Sequence, residues 1–169
     1  MKKLLAVLLA VMLLIAAVPA TSLAASSGDK QVYHVSTKGG TLYMRRDAGT
    51  SAAVVTSLPN GTALVKLSSK TVKNNGVKWI NVRALTGGSG WVASSYVKSN
   101  AHADINTKTS GLNVRSSRSA KNTKNILYSI PHDTKKVTVY KINGNWAYVN
   151  WNGLKKGWAS INYLKWTRW

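Results

Sequence analysis

Very few side chains in this 169-residue chain are equipped for covalent, acid–base or metal chemistry. There is no Cys, and the acidic residues number four, Asp29, Asp47, Asp104 and Asp133, with no Glu. A thiol nucleophile is therefore absent. The pair of carboxylates that glycoside hydrolysis needs has no candidate at close spacing. His34, His102 and His132 stand far apart, without the short His-x-His or His-Glu-x-x-His spacing that gathers zinc ligands. No serine lies in a recognisable arrangement with a base and an acid. The chemistry on offer is contact chemistry instead. Seven Trp, seven Tyr and 24 Lys and Arg supply flat apolar rings and fixed positive charge. The candidate ligand-binding residues are Tyr43, Arg45, Trp79, Trp91 and Tyr96, and further on Arg115, Trp146, Tyr148, Trp158 and Tyr163. The expectation is a binding protein and not an enzyme, with no metal and no cofactor.

Charge narrows the choice of partner. The formal net charge is +20, a balance that favours polyanions. The start of the chain bears on the compartment. Met1-Lys2-Lys3 is positive, Leu4 to Val18 is apolar without a charge, Pro19 breaks a helix, and Ser22-Leu23-Ala24 offers small residues. That is the pattern of a secretory signal peptide, cleaved after Ala24 or Ala25. The apolar run is shorter than the roughly 20 residues a membrane-spanning helix needs. A secreted or cell-wall-associated protein is expected, so cell-wall polymers and anionic lipid surfaces come before nucleic acid as partners, and nucleic acid is not expected. Without disulfides, stability has to come from a packed core.

The elements that would position these residues are written twice. Leu42-Tyr43-Met44-Arg45 matches Leu112-Asn113-Val114-Arg115, and Leu58-Pro59-Asn60-Gly61-Thr62 matches Ile130-Pro131-His132-Asp133-Thr134. Trp79 to Val82 matches Trp146 to Val149, and Gly90-Trp91-Val92 matches Gly157-Trp158-Ala159, with Tyr96-Val97 and Tyr163-Leu164 closing each copy. Spacing between the copies changes only across 46–57 against 116–129 and 68–78 against 140–145, which reads as surface loop. Apolar residues alternate with period two, as in half-buried strands. Asn60-Gly61, Asn75-Gly76, Asn143-Gly144 and Asn152-Gly153 are hairpin-type turn dipeptides. Each copy is expected to be five or six short antiparallel strands closed into a small barrel. By alternation Ile80, Val82, Ala147 and Val149 point inward, which turns Trp79 and Trp146 outward or into a groove. Trp91 and Trp158 are either core-edge packing or ligand contacts. Arg45 and Arg115 are either structurally paired or anion contacts.

With these motifs in fixed order, the chain resembles the bacterial SH3 (SH3b) family. The Leu-x-x-Arg strands ending in Arg45 and Arg115, the Trp79 and Trp146 strands, the Gly90-Trp91 and Gly157-Trp158 pairs and the Tyr96-Val97 and Tyr163-Leu164 ends carry the likeness. The resemblance implies an all-β fold of two tandem SH3-like barrels and a wall-targeting role, with peptidoglycan peptides and anionic cell-wall polymers as partners and no obligate protein partner. Expected boundaries are a signal peptide at 1–25, a flexible lead-in at 26–31, a first domain at 32–98, a linker at 99–103, a second domain at 104–165, and an aromatic-basic end at 166–169 that packs on the barrel or touches a wall or lipid surface. Two alternatives remain: a secreted cationic membrane-active or antimicrobial effector, and an adaptor that recruits a separate wall hydrolase.

Overall fold

The computed structural model describes residues 28–168. The expected signal peptide and Trp169 lie outside the described residues. The rest is all-β. Strands are β1 (Lys30–Val35), β2 (Thr41–Arg45), β3 (Val54–Pro59), β4 (Ala63–Asn74), β5 (Val77–Ala84), β6 (Ser89–Ala93) and β7 (Val97–Ser99). There follow β8 (Ala101–Ile105), β9 (Leu112–Arg115), β10 (Ile126–Ile130), β11 (Val137–Asn143), β12 (Trp146–Asn150), β13 (Gly157–Ser160) and β14 (Leu164–Thr167). A single 3-10 turn precedes β7, at Ser94–Tyr96, and another precedes β14, at Ile161–Tyr163.

Alternation of burial explains most of these strands. In β9, Leu112 and Val114 are buried while Asn113 and Arg115 are half out, and in β12 Ala147 and Val149 are buried between half-exposed neighbours. Turn chemistry sets the hairpins. Asn75 and Gly76 both take positive φ (47° and 77°) between Asn74 and Val77, as the tight two-residue turn requires. The second copy is offset by one residue. Asn143 is still in the ladder opposite Trp146, and Gly144 takes the positive φ.

Pairing is antiparallel throughout and repeats. The first half runs β3-β2-β6-β5-β4-β1-β7 and the second β10-β9-β13-β12-β11-β8-β14. The expected closed, separate barrels are not what the pairings form. β1 also pairs with β11, through Lys30 opposite Ile142 and Gln31 opposite Lys141, and this joins all fourteen strands into one open sheet. The apolar residues form two clusters. One is Val35, Leu42, Met44, Leu58, Leu64, Ile80, Val82, Ala84 and Val92. The other gathers the second half's residues together with Val32, Ala63 and Val65 of the first.

Several expected boundaries shift. Lys30 and Gln31, read as lead-in, are β1 residues, because the edge of β11 offers their backbone partners and Lys141 binds Asp29 at 2.5 Å. The expected linker 99–103 is a strand, a turn at Asn100 (φ 72°) and the start of β8. Ala101 and Ala103 there are fully buried. The end expected at 166–169 continues β14 through Thr167, with Trp166 opposite Ala103 and packed on the second cluster. The stretch 68–78, read as loop, is largely the exposed end of the β4–β5 hairpin.

Candidate functional site

Each half carries a groove beside its Arg strand, and the two are built from corresponding residues. The first, about 520 Å³, is lined by Thr37, Lys38, Thr41, Tyr43, Arg45, Thr50, Trp79, Ala93, Ser95 and Tyr96 among others. The second, about 670 Å³, has Thr107, Lys108, Gly111, Asn113, Arg115, Ala120, Trp146, Ser160, Asn162 and Tyr163 in the matching places. Their framework is the same. Val35 N–H donates to Thr62 O in one half and Ile105 N–H to Thr134 O in the other. The Thr62 hydroxyl donates to Pro59 O and the Thr134 hydroxyl to Pro131 O, each at 2.7 Å. Ser36 N–H donates to Tyr96 O and Asn106 N–H to Tyr163 O, which ties each groove loop to the closing turn.

The arginines act first on their own loops. Arg45 Nη1 donates to Ala52 O at 2.6 Å, and its guanidinium lies 5.6 Å from the Tyr43 ring centre. Arg115 Nη1 donates at 2.8 Å both to Asn122 O and to Asn125 Oδ1. Asn125 in turn donates to Ser117 and Ser119, so the loop 116–125 folds around a polar knot. These bonds fix the wall of each groove while leaving positive charge beside it.

The tryptophans differ. Trp146 is half-buried at the rim of its groove, whereas Trp79 is only 3% exposed, although it lines the first groove. Alternation places Trp79 outward or in a groove; its ring lines the groove but is buried, so only the outward alternative is corrected. Its indole Nε1 is buried without a hydrogen-bond partner. Trp91, Tyr148 and Trp158 line neither groove and stand half-exposed on the sheet. Tyr148 and Trp158 are cross-strand neighbours with ring centres 5.0 Å apart. Arg118 lies 5.3 Å from the Trp158 ring centre, and Lys141 lies 5.0 Å from that of Tyr148 and 5.3 Å from that of Trp158. The hydrogen bond from Lys141, aided by one from Asn143, lowers the pKa of Asp29.

Sequence reasoning missed the groove loops. Thr37-Lys38 lines the first groove and Thr107-Lys108 the second, and their equal spacing ahead of Arg45 and Arg115 was the available signal. Among the described residues, no group of three or more His, Cys, Asp or Glu is placed to hold a metal ion.

Residues 40–98 match the family described as bacterial SH3 domain. Over 139 residues the chain is 32% identical to a Bacillus subtilis (strain 168) protein named "Putative N-acetylmuramoyl-L-alanine amidase YrvJ". That alignment covers 73% of this chain and 25% of the relative, so the chain spans a quarter of that protein's length. Among solved structures, NlpC2 from Trichomonas vaginalis is 15% identical with a TM-score of 0.43, over 82% of this chain and 48% of that one. NlpC1 from the same organism is 15% identical with a TM-score of 0.42, over 86% and 49%. The relative named as an amidase corrects one expectation drawn from the sequence: the assignment of this protein as not an enzyme does not stand.

Proposed function

We propose that residues 28–168 form a wall-binding unit of two SH3b-type modules, each holding a peptidoglycan peptide in its groove, with basic charge adding attraction to anionic wall polymers. The observation that carries this reading is the repeated groove, in which threonine, lysine, arginine, tryptophan and tyrosine recur at matching places in both halves. Backbone-rich peptides suit such a cleft. Hydroxyls and cations meet carbonyls and carboxylates, and the rings cover small apolar side chains. Two weak grooves on one body strengthen retention on a repetitive polymer by raising each other's effective concentration. The net charge of +20, or +18 without Lys2 and Lys3, supplies the sequence-blind part.

The relative's name points to the reaction that such holding would serve, cleavage at the N-acetylmuramoyl–L-alanine amide. We therefore read the unit as a substrate-holding part of amidase-type wall hydrolysis. Two measurements test the proposal. Protein should sediment with purified sacculi, less so after the anionic polymers are stripped and less so at high salt, because exposed charges are screened over about 8 Å at physiological ionic strength. Failure to sediment with stripped sacculi at low salt would remove the peptide-groove reading. Incubating the full chain with peptidoglycan and following new L-alanine amino termini tests the hydrolytic part. Dye release from anionic vesicles without sacculus binding would favour the membrane-active alternative.

A further inference from the structure

Beside the second groove, rings and charge continue outward. Trp146 lines that groove and also a shallow depression with Ser117, Arg118, Ser119 and Trp158. The depression therefore shares a wall with the groove. Tyr148 backs Trp158 on the neighbouring strand. The first half does not repeat this. Asn81 stands opposite Trp91 where Tyr148 stands opposite Trp158, Ala48 occupies the position of Arg118, and Trp79 is buried where Trp146 reaches the rim.

The composition of the depression selects a ligand. It has half-exposed aromatic rings, two serines and a guanidinium, and it has no aliphatic lining. A peptide side chain would find little apolar depth. A pyranose ring fits better. Its C–H face lies on an aromatic ring, its hydroxyl and amide groups meet the serines, and an acidic substituent meets Arg118. We propose that this depression is a saccharide subsite for an amino-sugar carrying a lactyl-type carboxylate, continuous with the second groove. The second half then holds peptide in its groove and, beside it, glycan whose lactyl carboxylate is free, as cleavage of the amide to the stem peptide leaves it, while the first half holds peptide alone. This inference rests on the peptide-groove reading above.

The probe is a wall disaccharide of two N-acetylated amino-sugars, one bearing the lactyl acid, without peptide. A stem peptide without sugar is the control. Titrated into the full chain and followed by indole N–H resonances, the disaccharide should shift Trp146 and Trp158 and leave Trp79 and Trp91 in place. Arg118 is exposed and lies outside both apolar clusters. Arg118→Ala should therefore keep its melting temperature, bind the disaccharide about tenfold more weakly, equivalent to about 1.4 kcal/mol, and bind the stem peptide as before. Arg118→Lys should recover part of the loss. Equal disaccharide binding by Arg118→Ala overturns the assignment, as do shifts confined to Trp79 and Trp91. Shifts at Trp146 and Trp158 from a polyol phosphate, with none from the disaccharide, also overturn it. If the stem peptide binds and the disaccharide does not, this subsite fails and the groove reading stands. If neither probe binds and sacculi are not retained, the groove reading fails too.

Discussion

Gly157 begins β13 at the point where that strand crosses β9. A side chain there would put its Cβ 2.6 Å from Val114 Cγ1 and 2.7 Å from Arg115 O. Gly90 faces the same geometry against Arg45 O, at 2.5 Å. The Gly-Trp pair in both copies thus follows from strand crossing: the glycine admits the Arg strand, and the following Trp faces outward beside it. Gly157→Ala should cost about 1–3 kcal/mol, the usual range for forcing a methyl group into a packed site. Urea unfolding checks this, and an unchanged midpoint would mean the crossing relaxes freely. The two groove tryptophans separate core from rim at the same scale. Trp79→Ala should lose about 3–5 kcal/mol as a buried ring is removed. Trp146→Ala should lose clearly less stability and lose sacculus retention. Equal melting temperatures for the two variants would contradict that division.

At the scale of elements, the Leu-x-x-Arg strands, the Trp strands and the Gly-Trp strands were legible, because Val, Leu and Trp alternate with polar residues. What was missed was written in alanine. Ala101, Ala103 and the intervening His102 obey period two, but alanine's small side chain gives a weak signal, so the first part of β8, 101–103, read as linker. The long β4–β5 hairpin was missed for another reason. Its outer half is exposed on nearly every residue, so no burial pattern marks it; pairing with Val77–Ile80 and the Asn74 side-chain bond to Ala48 O hold it. In the grooves, the cations and rings were visible, whereas the burial of Trp79 arises among residues distant in sequence, with Tyr43, Arg45 and Tyr96 lining the same groove. β8 also carries a pH dependence. Burial, with lesser contributions from the nearby His34 and Lys136, lowers the pKa of His102 below its usual 6.5. The folded state then favours neutral His102, and the unfolded state binds the extra proton. Stability from this group is complete above about pH 6.5 and declines as pH falls from there toward the lowered folded value. Asp29 works in a lower window, since its contribution is lost only as pH falls through the carboxylate range. Between pH 7.5 and 5.5, urea midpoints should fall in the parent protein and fall less in His102→Asn. The same slope in both would assign the effect to other groups.

At the scale of the whole molecule, the question is whether two repeated halves behave as two proteins. The repeat in strand order argues for independence, but the packing argues against it. Val32, Ala63 and Val65 belong to the first half by sequence and pack in the second half's apolar cluster. β1 pairs with β4 and β7 at its far end and with β11 at its near end. Asp29 fastens that near end by its bonds to Lys141 and Asn143. A fragment of residues 101–168 would keep β8 through β14, yet it would open the side of the cluster that Val32, Ala63 and Val65 cover and free the edge of β11. Apolar area returned to water costs about 25 cal/mol per Å², so the fragment should fold with a lower melting temperature than the second half shows in the full chain. A fragment starting at Asp104 should fare worse, since it also removes Ala101 and Ala103 and the partners they give Val137 and Val139 in β11. The full chain should accordingly unfold in one transition by calorimetry, with fluorescence and circular dichroism midpoints coinciding. Two resolved transitions, with the fragment 101–168 melting at the temperature of one of them, would show that the shared cluster contributes nothing and that the halves are independent modules joined by chance of contact.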